Sequence, residues 1–164
     1  MVAAKGSPKF EENAAYFKEK RVAFTGFDLS GDFFFRSIPG SADVGAVINN
    51  VDSHSAAIEA LSRGVADIAI VNNRDWDRLA GKYPGLESVG EGSGKSPEIT
   101  LVLSKKADVS LSEQVGKVLL SLGKDRSEEA KELKKALHIK AYVETTIEDF
   151  SYAISVLEKA GVTK

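Results

Sequence analysis

The sequence predicts an α/β fold: a single three-layer domain in which helices cover both faces of a mostly parallel sheet. Strand-like and helix-like segments alternate about four times along the 164 residues, as in parallel strands joined by helices. The run ADIAIVNN (66–73) is almost continuously apolar, which is typical of a strand buried on both faces. Hydrophobic residues make up 43% and charged residues 28% of the chain, so the material for a core is present.

The first predicted elements are a helix and two strands. PKFEENAAYFKEK (8–20) predicts a helix, because its apolar residues recur at helical spacing after a proline suited to a first turn. RVAFTG (21–26) and VGAVINN (44–50) predict short strands. We therefore expect an N-terminal helix within 1–20, followed by one α/β domain over 21–164.

The next elements surround the apolar strand of 66–73. SHSAAIEALSR (53–63) predicts a helix with alanine and leucine on one side, and Gly64 stands where a helix commonly ends. RDWDRLAGKY (74–83) predicts a short helix, and LESVGE (86–91) predicts another strand.

The last third of the sequence is mainly helical in pattern. EITLVLSKK (98–106) predicts a further strand, because β-branched and apolar residues dominate it. Apolar residues at helical spacing then predict helices over 110–122, 127–137 and 147–161.

Composition excludes several kinds of site. The chain has no cysteine, which rules out disulfides, thiolate nucleophiles and cysteine-based zinc sites, and it has only two histidines. A net charge of −2 does not predict a nucleic-acid partner. No run approaches the roughly 20 apolar residues of a membrane span, and MVAAKGSPKFEE (1–12) lacks the apolar centre of a signal peptide. No sequence motif indicates a cofactor.

The glycine-rich segment VGEGSGKSPE (89–98) resembles a phosphate-binding loop only superficially. A P-loop needs a glycine five residues before its Gly-Lys pair, and Val89 occupies that position here. A P-loop must also lead into a helix, whereas Pro97 and a predicted strand follow. The segment is better interpreted as a flexible connection.

Polar residues follow three of the predicted strands. Because the carboxyl ends of parallel strands meet at one edge of a sheet, such residues are candidates for binding a ligand. No nucleophile, metal cluster or cofactor motif accompanies them, so catalysis is not indicated. The candidates from the three loops are Ser30, Gly31, His54, Asn73 and Asp75.

Each candidate also has a purely structural interpretation. His54 could be a surface or capping histidine, and the polar run from Asn72 to Asp75 could be an Asx turn that caps the next helix. Backbone amides at Ser30 could face an anion, but Asp28 and Asp32 would oppose one there.

A longer run suggests a family. VDSHSAAIEALSRGVADIAIVNNRDWDRL (51–79) resembles the phosphate/phosphonate-binding components of bacterial ABC importers, which are type II periplasmic binding proteins. Shorter likenesses extend over residues 18–162, and together they correspond to the second lobe and the C-terminal part of those proteins. The positions that carry the pattern most clearly are Ser53, His54, Ala56, Ala57, Gly64, Asp67 and Ala69.

The resemblance implies a non-catalytic solute-binding domain of a transport system, outside the cytoplasm, with an ABC permease as partner. A small polar or anionic solute of the phosphate or phosphonate type is implied as ligand. Ser30, His54, Asp75 and Glu98 match ligand-contacting positions of the family, and residues 90–97 match the segment that crosses between lobes.

One alternative function stays open at this point. A chain that resembles one lobe could be an interaction module, which pairs with a second copy or with a separate partner lobe and binds no small molecule. The lobe face that meets a partner lobe would then be apolar and free. The triple phenylalanine 33–35 is interpreted as core or interface, and would imply a partner if it were exposed.

Overall fold

The structure is a computed structural model that describes residues 1–97, 100–102, 104 and 106–162. The chain divides into two compact units. The first comprises Met1–Ser96 and the residues from Ser151 onward, and the second comprises Pro97–Phe150.

The sheet belongs to the first unit. Within the described residues its strands are β1 (Val2–Ala4), β2 (Arg21–Thr25), β3 (Val47–Val51), β4 (Ile68–Ala69) and β5 (Leu86–Ser88). They lie side by side in the order β3-β2-β4-β1-β5. β2 pairs in parallel with β3 and β4, whereas β1 runs antiparallel to its neighbours β4 and β5. Four of these strands therefore point the same way, which makes the sheet mostly parallel.

Both faces of the sheet are buried. Along β2, Val22 and Phe24 belong to one apolar cluster and Ala23 to the other, because successive side chains of a strand point to opposite faces. β4 repeats this with Ile68 on one face and Ala69 on the other. Segments rich in phenylalanine cover the first face, and helices cover the second. The predicted three-layer α/β architecture is confirmed.

α-Helices occur in both units. Those described are α1 (Phe34–Ser37), α2 (His54–Ser62), α3 (Asn73–Leu79), α4 (Val109–Ser121), α5 (Glu128–Ala136) and α6 (Ser151–Lys159). A single π turn spans Leu29–Phe33 and runs directly into α1. Short 3-10 turns span Ala14–Phe17, Ser41–Asp43, Ala80–Lys82 and Ile147–Phe150.

The predicted helix over 8–20 is wrong. Within that range only Ala14–Phe17 is helical, and it forms one 3-10 turn. Glu12 and Glu19 have positive φ angles of 52° and 58°, so left-handed backbone bounds the turn on both sides and stops a longer helix. Phe17 is fully buried. The apolar spacing that predicted a helix therefore serves aromatic packing instead.

The sequence did not predict β1. Val2 and Ala3 are buried between β4 and β5, where Val2 pairs with Ala69 on one side and Ser88 on the other. Residues 1–20 thus contribute a strand to the sheet and not a separate helix.

The strand predicted over 98–106 is not found among the residues of that range that the structure describes. Residues 100–102 and 104 lie outside any strand, and 98, 99, 103 and 105 are outside the described residues.

The second unit contains α4 and α5. Asp108 caps α4 by accepting a hydrogen bond from the amide of Leu111 at 2.9 Å. Lys134 of α5 donates to the carbonyls of Leu122 and Asp125, both at 2.9 Å. This cation satisfies the carbonyl of the residue that follows α4 and one carbonyl of the loop beyond it, and ties the two helices together.

Candidate functional site

Three strand ends meet at one edge of the sheet. β2 ends at Thr25, which is paired with Val51 at the end of β3. On the other side of β2, Ala23 is paired with Ala69 at the end of β4. The loops that follow these strands therefore leave the same edge side by side, as the sequence predicted. We call it the carboxyl edge.

The loop after β2 is folded around the carboxylate of Asp28. Its Oδ2 accepts a hydrogen bond from the amide of Ser30 at 3.1 Å and another from the Thr25 hydroxyl at 3.3 Å. Asp28 is thus the cap of the π turn, and Ser30 contributes its backbone N–H to the loop.

Gly31 allows this loop to turn back onto the strand. A Cβ atom at Gly31 would lie 2.6 Å from the carbonyl oxygen of Thr25 and 3.2 Å from the Cβ of Phe24. No side chain fits between the turn and the end of β2, so this position requires glycine for space. The tight turn brings the Asp28 side chain towards the neighbouring loop.

His54 lies at the start of α2, directly after β3. Ser53 caps the helix by accepting from the amide of Ala56 at 3.1 Å, so the capping role belongs to the serine and not to the histidine. The His54 side chain is only 13% exposed, and its Nε2 lies 3.6 Å from Oδ2 of Asp28. That distance fits a charge contact but is too long for a hydrogen bond. The loops after β2 and β3 therefore converge.

The other ring nitrogen of His54 lies in an unusual environment. Nδ1 is buried and has no hydrogen-bond partner among the residues that the structure describes. Buried polar atoms are nearly always paired, because an unpaired one loses its hydration without compensation. The ring is thus kept at the edge at some cost in stability.

The polar side chains of the loop after β4 form hydrogen bonds mainly within that loop and the helix that follows it. The Asn72 side chain accepts from the amide of Asp75 at 2.7 Å and donates to its Oδ2 at 3.0 Å. Arg78 donates to the other carboxylate oxygen of Asp75 at 2.8 Å. The Asx-turn interpretation therefore describes this loop, and Asn72 is the cap of α3.

Asn73 contacts a different part of the edge. Its amide donates to Oε2 of Glu91 at 3.4 Å, just beyond the end of β5. Within the described part of the chain, neither Asn73 nor Asp75 has a hydrogen bond or ion pair to Ser30 or His54. Glu98, the remaining candidate from the sequence, lies outside the described residues.

The structure thus brings Ser30, Gly31 and His54 together and leaves Asn73 and Asp75 on the adjoining strand end. The residue that joins the first three is Asp28, which sequence reasoning considered only as an obstacle to an anion. Its signal was the spacing Asp28-Leu29-Ser30, because an aspartate often accepts a hydrogen bond from the amide two residues further on.

The glycines of 90–94 make room for aromatic side chains. A Cβ at Gly90 would lie 2.8 Å from the Cβ of Phe10. Cβ atoms at Gly92 and Gly94 would overlap the ring of Tyr152 from α6. Burial raises the pKa of the Tyr152 phenol, and the charge of Glu12 raises it further, so that the hydroxyl stays neutral at physiological pH.

The segment is therefore packed backbone and not a phosphate loop. Residues 95–97, which follow its last glycine, are not helical.

Two kinds of feature are absent from the described residues. They contain no group of three or more histidine, cysteine, aspartate or glutamate side chains arranged to hold a metal ion. None of their helices combines the length and the apolar character that crossing a bilayer requires.

Comparison with known families gives one match, over residues 15–150. The family is described as ABC transporter, phosphonate, periplasmic substrate-binding protein. No curated protein matches the chain.

Solved structures share the fold at low sequence identity. XAC2383 of Xanthomonas citri bound to a chloride ion is 14% identical, with a TM-score of 0.72, over 98% of this chain and 63% of that protein. PhnD1 of Prochlorococcus marinus, in complex with methylphosphonate, is 16% identical, with a TM-score of 0.70, over 99% of this chain and 66% of PhnD1. An ancestral arginine-binding protein bound to arginine is 22% identical, with a TM-score of 0.60, over 82% of this chain and 57% of that protein. The chain thus spans between 57% and 66% of the length of these three proteins.

Proposed function

Because the chain belongs to the family of periplasmic substrate-binding proteins of phosphonate ABC transporters, we propose that it binds a small polar solute at the carboxyl edge and catalyses no reaction. The observation that carries this proposal is the convergence of two loops, in which Nε2 of His54 lies 3.6 Å from Oδ2 of Asp28. Convergent polar groups at the carboxyl ends of parallel strands are the usual form of a ligand site in an α/β sheet.

The proposed site is built from rigid parts. Asp28 is held by the Ser30 amide and the Thr25 hydroxyl, and His54 is fixed at the start of α2. A solute that enters such a site meets groups already in place, so little ordering of the protein opposes binding. Asn73, Asp75 and Glu98 are proposed as further contacts from the adjoining loops.

The family also indicates the setting. Its members supply solutes to an ABC permease from outside the cytoplasm, and we propose the same partner and location for this chain. PhnD1 binds methylphosphonate, so phosphate and phosphonates are among the first solutes to test.

The alternative of an interaction module without a ligand has less support. The triple phenylalanine does not form an exposed patch, since Phe35 is buried and Phe33 and Phe34 are half-buried. The family match favours solute binding instead.

Isothermal titration calorimetry tests the proposal. The panel is inorganic phosphate, methylphosphonate, arginine and agmatine, which together present oxyanions and cationic groups. At least one solute should bind, and His54→Ala should weaken its affinity roughly 10-fold or more, because the variant removes the polar ring that lies against Asp28. Ser55→Ala, an exposed neighbour on α2, is the matched control and should leave binding unchanged. Absence of heat with all four solutes would refute a solute-binding role.

A further inference from the structure

We propose that Asp28 makes the carboxyl edge selective for solutes that carry an ammonium or guanidinium group, and excludes oxyanions. This inference rests on the proposed function and names the class of solute. It follows from which groups of the loops are already bonded and which remain free to contact a solute.

Two donors of the loop that an oxyanion would use are already occupied. An anion at a strand end is normally held by backbone amides and hydroxyls of the loop. Here the Ser30 amide and the Thr25 hydroxyl both donate to Oδ2 of Asp28. The protein's own carboxylate therefore stands where the negative charge of a ligand would be, and a second negative charge beside it would be repelled.

Two arginines on the helices that follow these strands are also paired with carboxylates. Arg36 pairs with Asp32 at 3.4 Å and donates to the carbonyl of Ala160 at 2.7 Å. Arg78 pairs with Asp75 at 2.8 Å. These guanidinium groups thus offset the charges of their own partners, and neither supplies a free positive charge for an oxyanion.

The free capacity at Asp28 is that of an acceptor. A carboxylate accepts about four hydrogen bonds, and the contacts of Asp28 with Ser30, Thr25 and His54 all use Oδ2. Oδ1 receives no hydrogen bond from any residue that the structure describes, and the side chain is 35% exposed. A donor-rich cation reaches such an oxygen and compensates its charge in one contact.

His54 supports the same selectivity. Its Nε2 lies 3.6 Å from Oδ2 of Asp28, the same oxygen that the Ser30 amide and the Thr25 hydroxyl contact. The ring therefore orients Asp28 and leaves Oδ1 to the solute.

The same calorimetric panel tests this inference on the full chain, with Asp28→Asn as the variant. Asparagine keeps the size of the side chain and an oxygen that accepts from the Ser30 amide, so the loop keeps its cap. Wild type should bind arginine or agmatine but neither phosphate nor methylphosphonate. Asp28→Asn should weaken cation binding roughly 10-fold or more. Asp43→Asn makes the same change of charge in the 3-10 turn that precedes β3, and should change affinity less than about twofold, since an exposed charge remote from the site is screened.

The outcomes separate the two proposals. Binding of phosphate or methylphosphonate overturns the selectivity and supports solute binding. No binding by any of the four overturns solute binding itself. Equal losses in Asp28→Asn and Asp43→Asn overturn the role of Asp28, because net charge alone would then explain the effect.

Discussion

Two carboxylates, Asp67 and Asp28, lie at opposite ends of the strands of one sheet and are hydrogen-bonded in contrasting ways. At the amino ends of the strands, Asp67 takes both a bidentate contact from the Arg21 guanidinium, at 2.7 and 3.1 Å, and the Arg21 backbone amide at 2.8 Å. At the carboxyl edge, Oδ2 of Asp28 lies 3.6 Å from Nε2 of His54, which is too long for a hydrogen bond. Oδ1 of Asp28 has no donor among the described residues.

The contrast separates a structural pair from a binding pair. Arg21 and Asp67 satisfy each other, and Arg21 also donates to the carbonyl of Gly64 at 2.7 Å, so β2 and β4 are locked in register. The pair of Asp28 and His54 leaves hydrogen-bonding capacity unused, which lowers stability and is typical of groups kept for a ligand. Three substitutions test this difference through the free energy of unfolding.

Gly31→Ala should have the largest effect. Its Cβ would meet the Thr25 carbonyl at 2.6 Å, so the loop must move away from β2 and withdraw Asp28 from His54. The free energy of unfolding should fall by about 2 kcal/mol, as is usual when an atom is forced into a packed site. Urea denaturation followed by circular dichroism measures this. Gly26→Ala is the control, because its Cβ would meet nothing closer than 3.8 Å; equal losses in both variants would contradict the steric argument.

Asp67→Asn should have an intermediate effect that depends on pH. Hydrogen bonds from Arg21 hold the pKa of Asp67 below its ordinary value, so the pair stabilises the fold wherever the carboxylate is ionised. At pH 7 the loss should be about 1 kcal/mol, the upper range for exposed ion pairs.

The loss should stay constant down to about pH 5, and then shrink below about pH 4 as wild type loses the same charge. Urea denaturation of both proteins across this range is the measurement. A difference that grows on acidification would show that the pair does not act through the ionised carboxylate.

His54→Leu should have the smallest effect on stability. Leucine fills a similar volume and removes the buried, unpaired Nδ1, so the free energy of unfolding should stay within about 0.5 kcal/mol of wild type or rise. Thermal unfolding of wild type and variant compares the two directly. A decrease in the free energy of unfolding as large as that of Asp67→Asn would show that His54 stabilises the fold as Asp67 does. The proposed difference between Asp28–His54 and Arg21–Asp67 would then be wrong.

The sequence predicted the features that depend on short-range pattern. Alternating strands and helices located β2, β3 and β4, and the capping residues located α2. The position of His54 directly after a strand followed from the same pattern, as did the strand end that carries Asp75. The predicted resemblance to phosphonate-binding components of importers is confirmed by the family match.

Features that depend on distant contacts were missed. The helix predicted over 8–20 is replaced by one turn, because the burial of Phe17 outweighs local helical preference. β1 is three residues long and is a strand only because two others lie beside it. Asp28 could be recognised as the cap of its loop, but its contact with His54 requires the order of the strands, which sequence spacing does not contain.

The contact between Tyr152 and the glycines after β5 has a consequence for sequence variation. Gly92 and Gly94 lack positive φ angles, so the backbone conformation there suits any residue. Packing excludes a side chain instead, from Tyr152 at both positions and also from Phe34, 3.1 Å away, at Gly92. At Gly92 the nearest atom is the Tyr152 hydroxyl, so a smaller residue at 152 removes the closest contact. At Gly94 the Cβ of residue 152 would itself lie 2.8 Å from the added Cβ, so glycine stays required there. Among relatives, alanine at position 92 should therefore occur together with a smaller residue at position 152, some sixty residues further along the chain, whereas position 94 should stay glycine.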